Sequence, residues 1–106
     1  MADGVTITEQ RIQPHNIEAE QAVLGALLLN NELFDRINGI IQAHHFYDPV
    51  HGRIWETAAR RIQKNALASP VTLKPFLAED EGLSELGGTD YLARLAGAAI
   101  STVAAR

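Results

Sequence analysis

Four histidines are the residues whose type and number first suggest metal chemistry: His15, His44, His45 and His51. A metal site needs several ligands on one face, as in a His-Glu-x-x-His helix. Adjacent His44 and His45 cannot supply that face, because they point about 100° apart on a helix and to opposite faces of a strand. His51 is separated from them by Pro49. We therefore expect solvated or locally hydrogen-bonded histidines and no metal.

The residues needed for other kinds of catalysis are not arranged for it. A serine triad needs a serine beside a histidine and a carboxylate, whereas Ser69, Ser84 and Ser101 stand where serine usually caps a turn or helix. The chain has no cysteine, which excludes a thiol nucleophile, a disulfide scaffold and cysteine-ligated zinc. It also lacks the GxxxxGK[ST] loop that cradles phosphates. We predict that this chain is no enzyme and binds no cofactor.

One carboxylate has an unusual position. Glu20 projects close to the direction of Leu24 and Leu27 on the first predicted helix, which is otherwise apolar over most of its circumference. We interpret Glu20 as a first-turn carboxylate that serves backbone amides and the helix dipole. A catalytic acid would need a partner that the sequence does not reveal.

Three basic residues, Arg53, Arg60 and Lys64, form a stripe on the third predicted helix, with Arg61 to its side. Such a stripe either touches a nucleic-acid backbone or is the solvated face of an amphipathic helix, here supported by Glu56 four residues before Arg60. The net charge of −4 argues against strong binding to a polyanion. A weak nucleic-acid-binding module using this stripe remains an alternative.

The elements that position these residues are predicted to be short helices. With 106 residues, 46% of them apolar and 21% charged, the chain has the composition of one small globular domain. No segment keeps the alternation of a strand for long. The predicted N-terminal caps of the four main helices are Asn16, Asp48, Thr72 and Thr89. We predict an all-α bundle of about five to six short helices, with Pro75 inside the helix after Thr72 and a tight turn at Gly87-Gly88.

The predicted organisation has three parts. Residues 1–13 read as a flexible tail, residues 14–100 as a helical head, and residues 101–106 as the start of a truncated next helix, capped by Ser101 or Thr102. No apolar run approaches the roughly 20 residues of a membrane span, and the start is unlike a signal peptide. We therefore expect a cytoplasmic protein.

Several ordered motifs together carry a family resemblance. They are PHNIEAEQAVLGALL at 14–28, HFYDP at 45–49 followed by His51 and IWETA at 54–58, VTL at 71–73, and LGG at 86–88 followed by Tyr91. In this order they resemble the N-terminal domain of bacterial replicative DNA helicases, the DnaB family. The family commonly has an acidic residue before the VTL motif, where this chain has Ser69 and Pro70.

The resemblance implies a non-catalytic role. In the DnaB family, a helical head and a two-helix hairpin form a collar on a hexameric ring, recruit primase and influence the helicase loader. In the family, ATP and magnesium belong to a C-terminal motor domain, and we expect this chain to carry neither that domain nor its cofactors. We expect this chain to carry the head without the hairpin and, because one of the two types of collar contact is then missing, to be a monomer or weak dimer. A helical adaptor unrelated to replication is the other alternative.

The resemblance also suggests where a partner binds. We expect the primase-facing surface to lie at the double-glycine turn and its helix, formed by Glu85, Asp90, Tyr91 and Arg94. A tyrosine at a turn–helix junction serves either as a core residue or as a partner-binding anchor. On the second interpretation, Tyr91→Ala should weaken primase recruitment without unfolding the head.

Overall fold

The computed structural model describes the backbone of residues 16–104 and the side chains of residues 16–100. This part of the chain forms six α-helices and one 3-10 turn, and it contains no strand. The helices are α1 (Ile17–Leu29), α2 (Leu33–Ile37), α3 (Pro49–Gln63), α4 (Pro70–Leu77), α5 (Glu81–Glu85) and α6 (Asp90–Ala104), and the 3-10 turn is Ala43–His45. The predicted all-α class is confirmed.

Helix α1 begins as its local sequence predicts. The Asn16 side chain accepts a hydrogen bond from the Ala19 amide at 2.9 Å, as an N-cap should. After the helix ends, the Asn31 side chain donates to the Ala68 carbonyl at 2.8 Å and accepts from the Ala68 amide at 2.9 Å. Asn31, just after the end of α1, therefore holds the loop before α4 against that end through two hydrogen bonds.

Helices α1 and α6 run in the same direction and form the largest helix pair of the core. They approach closely at Gly25, where an added Cβ would fall on the Leu95 carbonyl oxygen. Glycine is therefore needed at position 25 because the two helix backbones approach closely there. Its backbone conformation is not the reason, since Gly25 has no positive φ. The fully buried large apolar side chains that fill the core between the helices are Leu24, Leu27, Ile54, Leu73, Leu83 and Leu92.

Helix α3 confirms the predicted start at Asp48-Pro49. The Asp48 side chain accepts from the Val50 amide at 2.9 Å, and Pro49 occupies the first turn, where its missing N–H costs no hydrogen bond. Trp55 of this helix packs against the Phe34 and Phe46 rings, with centroids 5.6 and 6.0 Å away. Phe46 is therefore partly buried against the core, whereas its neighbour Tyr47 is 58% exposed.

Helix α4 begins earlier than predicted, so the assignment of Thr72 as its N-cap is wrong. Ser69 is the cap, and its backbone is extended. The Ser69 hydroxyl accepts a hydrogen bond from the Thr72 amide at 3.2 Å, and the Thr72 hydroxyl oxygen accepts one from the Ser69 amide at 2.8 Å. Pro70 takes the first helical position. The helix continues through Pro75 to Leu77.

Two further boundaries differ from the predictions. Helix α5 was not anticipated; it is a short helix whose N-cap, Asp80, accepts from the Leu83 amide at 3.0 Å. Helix α6 passes through Ser101 and Thr102 to Ala104, so neither residue starts a new helix, because the alanine-rich sequence around them continues the helical backbone. The predicted tail, residues 1–13, lies outside the described residues.

Candidate partner-binding site

The predicted site is built around the double-glycine turn between α5 and α6. Gly87 and Gly88 have φ values of +115° and +75°, which side chains other than glycine rarely adopt. The Arg94 guanidinium folds back over the turn, donates to the Leu86 carbonyl oxygen at 2.6 Å and lies 5.7 Å from the centre of the Tyr91 ring. A Cβ at Gly87 would meet this guanidinium. The turn and the first part of α6 therefore form one ordered surface, which we call the double-glycine surface.

The structure brings three of the four predicted site residues to the surface. Glu85, Asp90 and Arg94 are exposed around the turn, whereas Tyr91 is only 8% exposed and belongs to the core. The choice left open by the sequence is therefore resolved in favour of a core tyrosine. Because truncating a buried aromatic leaves a cavity, Tyr91→Ala would destabilise the head, contrary to our expectation.

Tyr91 joins three helices through a chain of polar side chains. Its hydroxyl lies 2.7 Å from Nε2 of His51 on α3 and accepts from the Gln21 amide of α1 at 3.0 Å. The planes of the Tyr91 and His51 rings are nearly parallel, at 8°, with centroids 5.9 Å apart. On the other side of the imidazole, His51 Nδ1 lies 2.8 Å from a Glu20 carboxylate oxygen. We call these four residues the buried network.

Glu20 has a clearer role than the sequence indicated. Its carboxylate accepts from the Tyr47 amide at 2.6 Å and from the Asp48 amide at 3.4 Å, so it binds the segment that leads into α3. The interpretation that it serves backbone amides is correct, but those amides belong to a distant segment. Its missing side-chain partner is His51, which is fully buried.

One arrangement of protons satisfies every group of the buried network. His51 carries its proton on Nδ1 and donates to Glu20, so that Nε2 accepts from the Tyr91 hydroxyl, whose oxygen accepts from Gln21. This tautomer is assigned from the hydrogen-bond pattern. Among the described side chains, no buried nitrogen or oxygen lacks a partner. The network is therefore a complete structural link beneath the double-glycine surface.

Two electrostatic effects accompany the site. Burial raises the pKa of the Tyr91 hydroxyl above its usual value, although the Gln21 hydrogen bond acts in the opposite direction. On the α3 side, the side-chain hydrogen bond from Arg53 lowers the pKa of Asp80 to about 2. The Arg53 Nε lies 2.6 Å from Asp80, and the same contact raises the pKa of the guanidinium.

The basic stripe is divided among different contacts. Arg53 is held by Asp80, and Arg60 lies 3.6 Å from Glu56. Arg61 donates to the Leu67 carbonyl oxygen at 2.6 Å. The stripe therefore does not present one continuous row of free cations.

The histidines have separate environments. His44 and His45 lie side by side with ring centroids 4.3 Å apart and are exposed, whereas His51 is buried. Within residues 16–104, no three His, Asp or Glu side chains come together as a metal site would require. His15 lies outside the described residues.

Sequence reasoning missed the buried network because its members are far apart in the chain. His51 is 31 residues from Glu20 and 40 residues from Tyr91, so no local spacing connects them. One signal was available: all three fall within the motifs that carry the family resemblance. Polar residues placed among apolar motif positions are candidates for such a network.

Comparison with known proteins extends this description. Residues 12–106 match the family described as DnaB-like helicase N terminal domain. The replicative DNA helicase DnaB of Rickettsia felis is 39% identical over 85 residues, covering 80% of this chain and 17% of that protein. DnaB of Geobacillus stearothermophilus is 38% identical over 89 residues, covering 84% of this chain and 20% of that protein.

A third relative, DnaB of Rickettsia bellii, is 38% identical over 93 residues, which cover 88% of this chain and 19% of that protein. The chain spans about a fifth of the length of these curated relatives. Between residues 16 and 104, no helix has both the length and the apolar character needed to cross a membrane. The chain belongs to the family of DnaB-like helicase N-terminal domains.

Proposed function

We propose that this chain is the non-catalytic N-terminal head of a bacterial replicative helicase, and that it recruits primase through the double-glycine surface. The family match over residues 12–106 is the observation that carries this proposal. In it, ATP, magnesium and the DNA-translocating motor belong to another part of the helicase. The head works in the bacterial cytoplasm as part of a hexameric collar that also influences the loader.

The geometry of the double-glycine surface supports a binding role. Glu85, Asp90 and Arg94 give it both signs of charge, which favours electrostatic complementarity with a partner. The surface is preorganised, because Arg94 fixes the turn and the buried network holds the start of α6 against α1 and α3. A preorganised surface binds with a smaller loss of conformational entropy.

Self-association is the second part of the proposal. The isolated chain is expected to be a monomer or weak dimer, with the hexamer formed by the complete helicase. Its large exposed apolar side chains include Leu29, Ile40 and Ile100, which are available for contacts with other copies. Stable hexamers of this chain at micromolar concentration in sedimentation velocity would contradict this part.

Calorimetric titration with the primase of the same bacterium tests the recruitment proposal. We expect saturable binding that weakens about tenfold, or 1.4 kcal/mol, when Glu85→Lys and Asp90→Lys are combined. The combined Glu32→Lys, Asp35→Lys variant makes the same two charge reversals at exposed positions at the start of α2; it is the matched control and should bind as the unchanged chain does. Absence of binding, or equal weakening by the control, would contradict the proposed surface.

A further inference from the structure

A second surface, unrelated to the double-glycine turn, contains a small pocket with a basic rim. It lies where the end of α3 meets the following loop and α4, and its volume is about 180 Å³. Its lining residues are Thr57, Arg60, Arg61, Lys64, Ala66 and Phe76. We call it the basic pocket. Three of its six lining residues are cationic and none is acidic, on a chain whose net charge is −4.

The apolar part of the basic pocket is unusually accessible. Phe76 is 59% exposed, and the Arg61 guanidinium lies 5.4 Å from the centre of its ring. Leu67 and Val71, on the adjoining loop and helix, are 60% and 71% exposed. The Phe76 ring carries a cation on one face and has further apolar side chains nearby. Such a surface can bind an apolar group that is flanked by negative charge.

The walls of the basic pocket are fixed by hydrogen bonds. Arg61 binds the Leu67 carbonyl oxygen through Nε, and the Ala66 amide donates to the Arg61 carbonyl oxygen at 2.8 Å. The loop is held further by Asn31, which makes both backbone hydrogen bonds of Ala68. A rigid pocket loses little conformational entropy when it binds a ligand.

We propose that the basic pocket binds an acidic peptide segment of a protein partner. One aromatic or aliphatic side chain of the segment packs on Phe76, and neighbouring carboxylates pair with Arg60 and Lys64. The volume fits this occupant, because it is smaller than the ~300–1,000 Å³ of sites for drug-sized ligands and matches a single side chain.

Charge favours a short acidic segment over a long nucleic acid. Arg53, the next cation along the stripe, is held by Asp80 at 2.6 Å, whereas Arg60 has only a longer, exposed contact with Glu56 at 3.6 Å, so Arg60 remains accessible to a partner's carboxylate. A long polyanion would also meet the acidic residues outside the pocket, such as Glu56. A structural role could also explain Arg60 and Arg61, because they lie in the last turn of α3, where cations interact favourably with the helix dipole. That role does not account for the exposed Phe76 ring beside them.

Fluorescence anisotropy with a dye-labelled Asp-Asp-Phe-Asp-Asp peptide tests the proposal on the 106-residue chain. We expect saturable binding that weakens about tenfold in Phe76→Ser and in the combined Arg60→Gln, Lys64→Gln variant. The same loss is expected for a peptide with serine in place of phenylalanine. Ile40→Ser, an exposed apolar position after α2, and Arg36→Gln, on α2, lie outside the basic pocket and are the controls that should bind normally.

Three results would overturn the proposal. They are the absence of saturable peptide binding, equal binding by the pocket variants and the unchanged chain, and tighter binding of an oligothymidylate that displaces the peptide. The last result would assign the basic pocket to single-stranded nucleic acid, and its affinity would fall steeply with salt. The substitutions change exposed or half-exposed side chains, so an unaltered circular dichroism spectrum should accompany every variant.

Discussion

Replacing Tyr91 with phenylalanine removes one hydroxyl from the core and leaves the ring in place. The hydroxyl faces His51 Nε2 at 2.7 Å and the Gln21 amide at 3.0 Å. Gln21 is half-buried and can turn to water, whereas His51 is fully buried and cannot. A buried polar group left without its partner costs about 1–3 kcal/mol. We therefore expect Tyr91→Phe to lower the free energy of unfolding by about 2 kcal/mol.

Urea unfolding followed by circular dichroism at pH 7 measures this loss. A thermal scan of the same variant should show a fall in Tm of roughly 8–16 °C. A double-mutant cycle assigns the loss to the buried network. His51→Leu removes the group that Tyr91→Phe would strand, so the double variant should be more stable than additivity predicts by about 1 kcal/mol or more. A loss below about 0.5 kcal/mol for Tyr91→Phe, or strict additivity with His51→Leu, would refute this reasoning.

Two further predictions concern helix contact and pH. Gly25→Ala should destabilise the head by about 1–3 kcal/mol because its Cβ would overlap the Leu95 carbonyl. Gly97→Ala is the control: an added Cβ there has no atom within 4 Å, so the substitution should stabilise the head by up to about 1 kcal/mol. Equal effects of the two substitutions in urea unfolding would contradict the close approach of the helices at Gly25. The lowered pKa of Asp80, about 2, means that the stability from its Arg53 pair is complete above about pH 4 and is lost as the pH falls toward 2. Asp80→Asn should therefore remove this loss, so that the unfolding free energy depends less on pH in this range. The change should be ~1 kcal/mol or less, because half-exposed Arg53 is screened by solvent. An unchanged pH profile of the unfolding free energy would contradict the pairing.

Local cap chemistry made the strongest helix starts predictable. Asn16 and Asp48-Pro49 each combine a side chain that binds free amides with a sequence that suits the first turn, and both starts were placed correctly. The start of α4 was misplaced because Ser69 and Thr72 are both capable caps three residues apart. The structure uses them as one capping box.

The site was less predictable than the fold, for a physical reason. Exposure at the double-glycine turn follows from local sequence, and Glu85 and Asp90 are exposed there; their role in binding a partner stays a prediction. The burial of Tyr91 depends on His51 and Gln21, which lie on other helices and come near only when the bundle packs. Contacts across such distances in the chain leave no periodic signal in one sequence.

We propose above that the double-glycine surface binds primase. The most direct test is a ¹⁵N–¹H correlation spectrum of the isotopically labelled chain, recorded during titration with unlabelled primase. We predict that the amide signals of Glu85, Asp90 and Arg94 shift or broaden first, while those around the basic pocket remain unchanged. An unaltered spectrum at saturating primase, or changes confined to residues away from the turn, would contradict the claim.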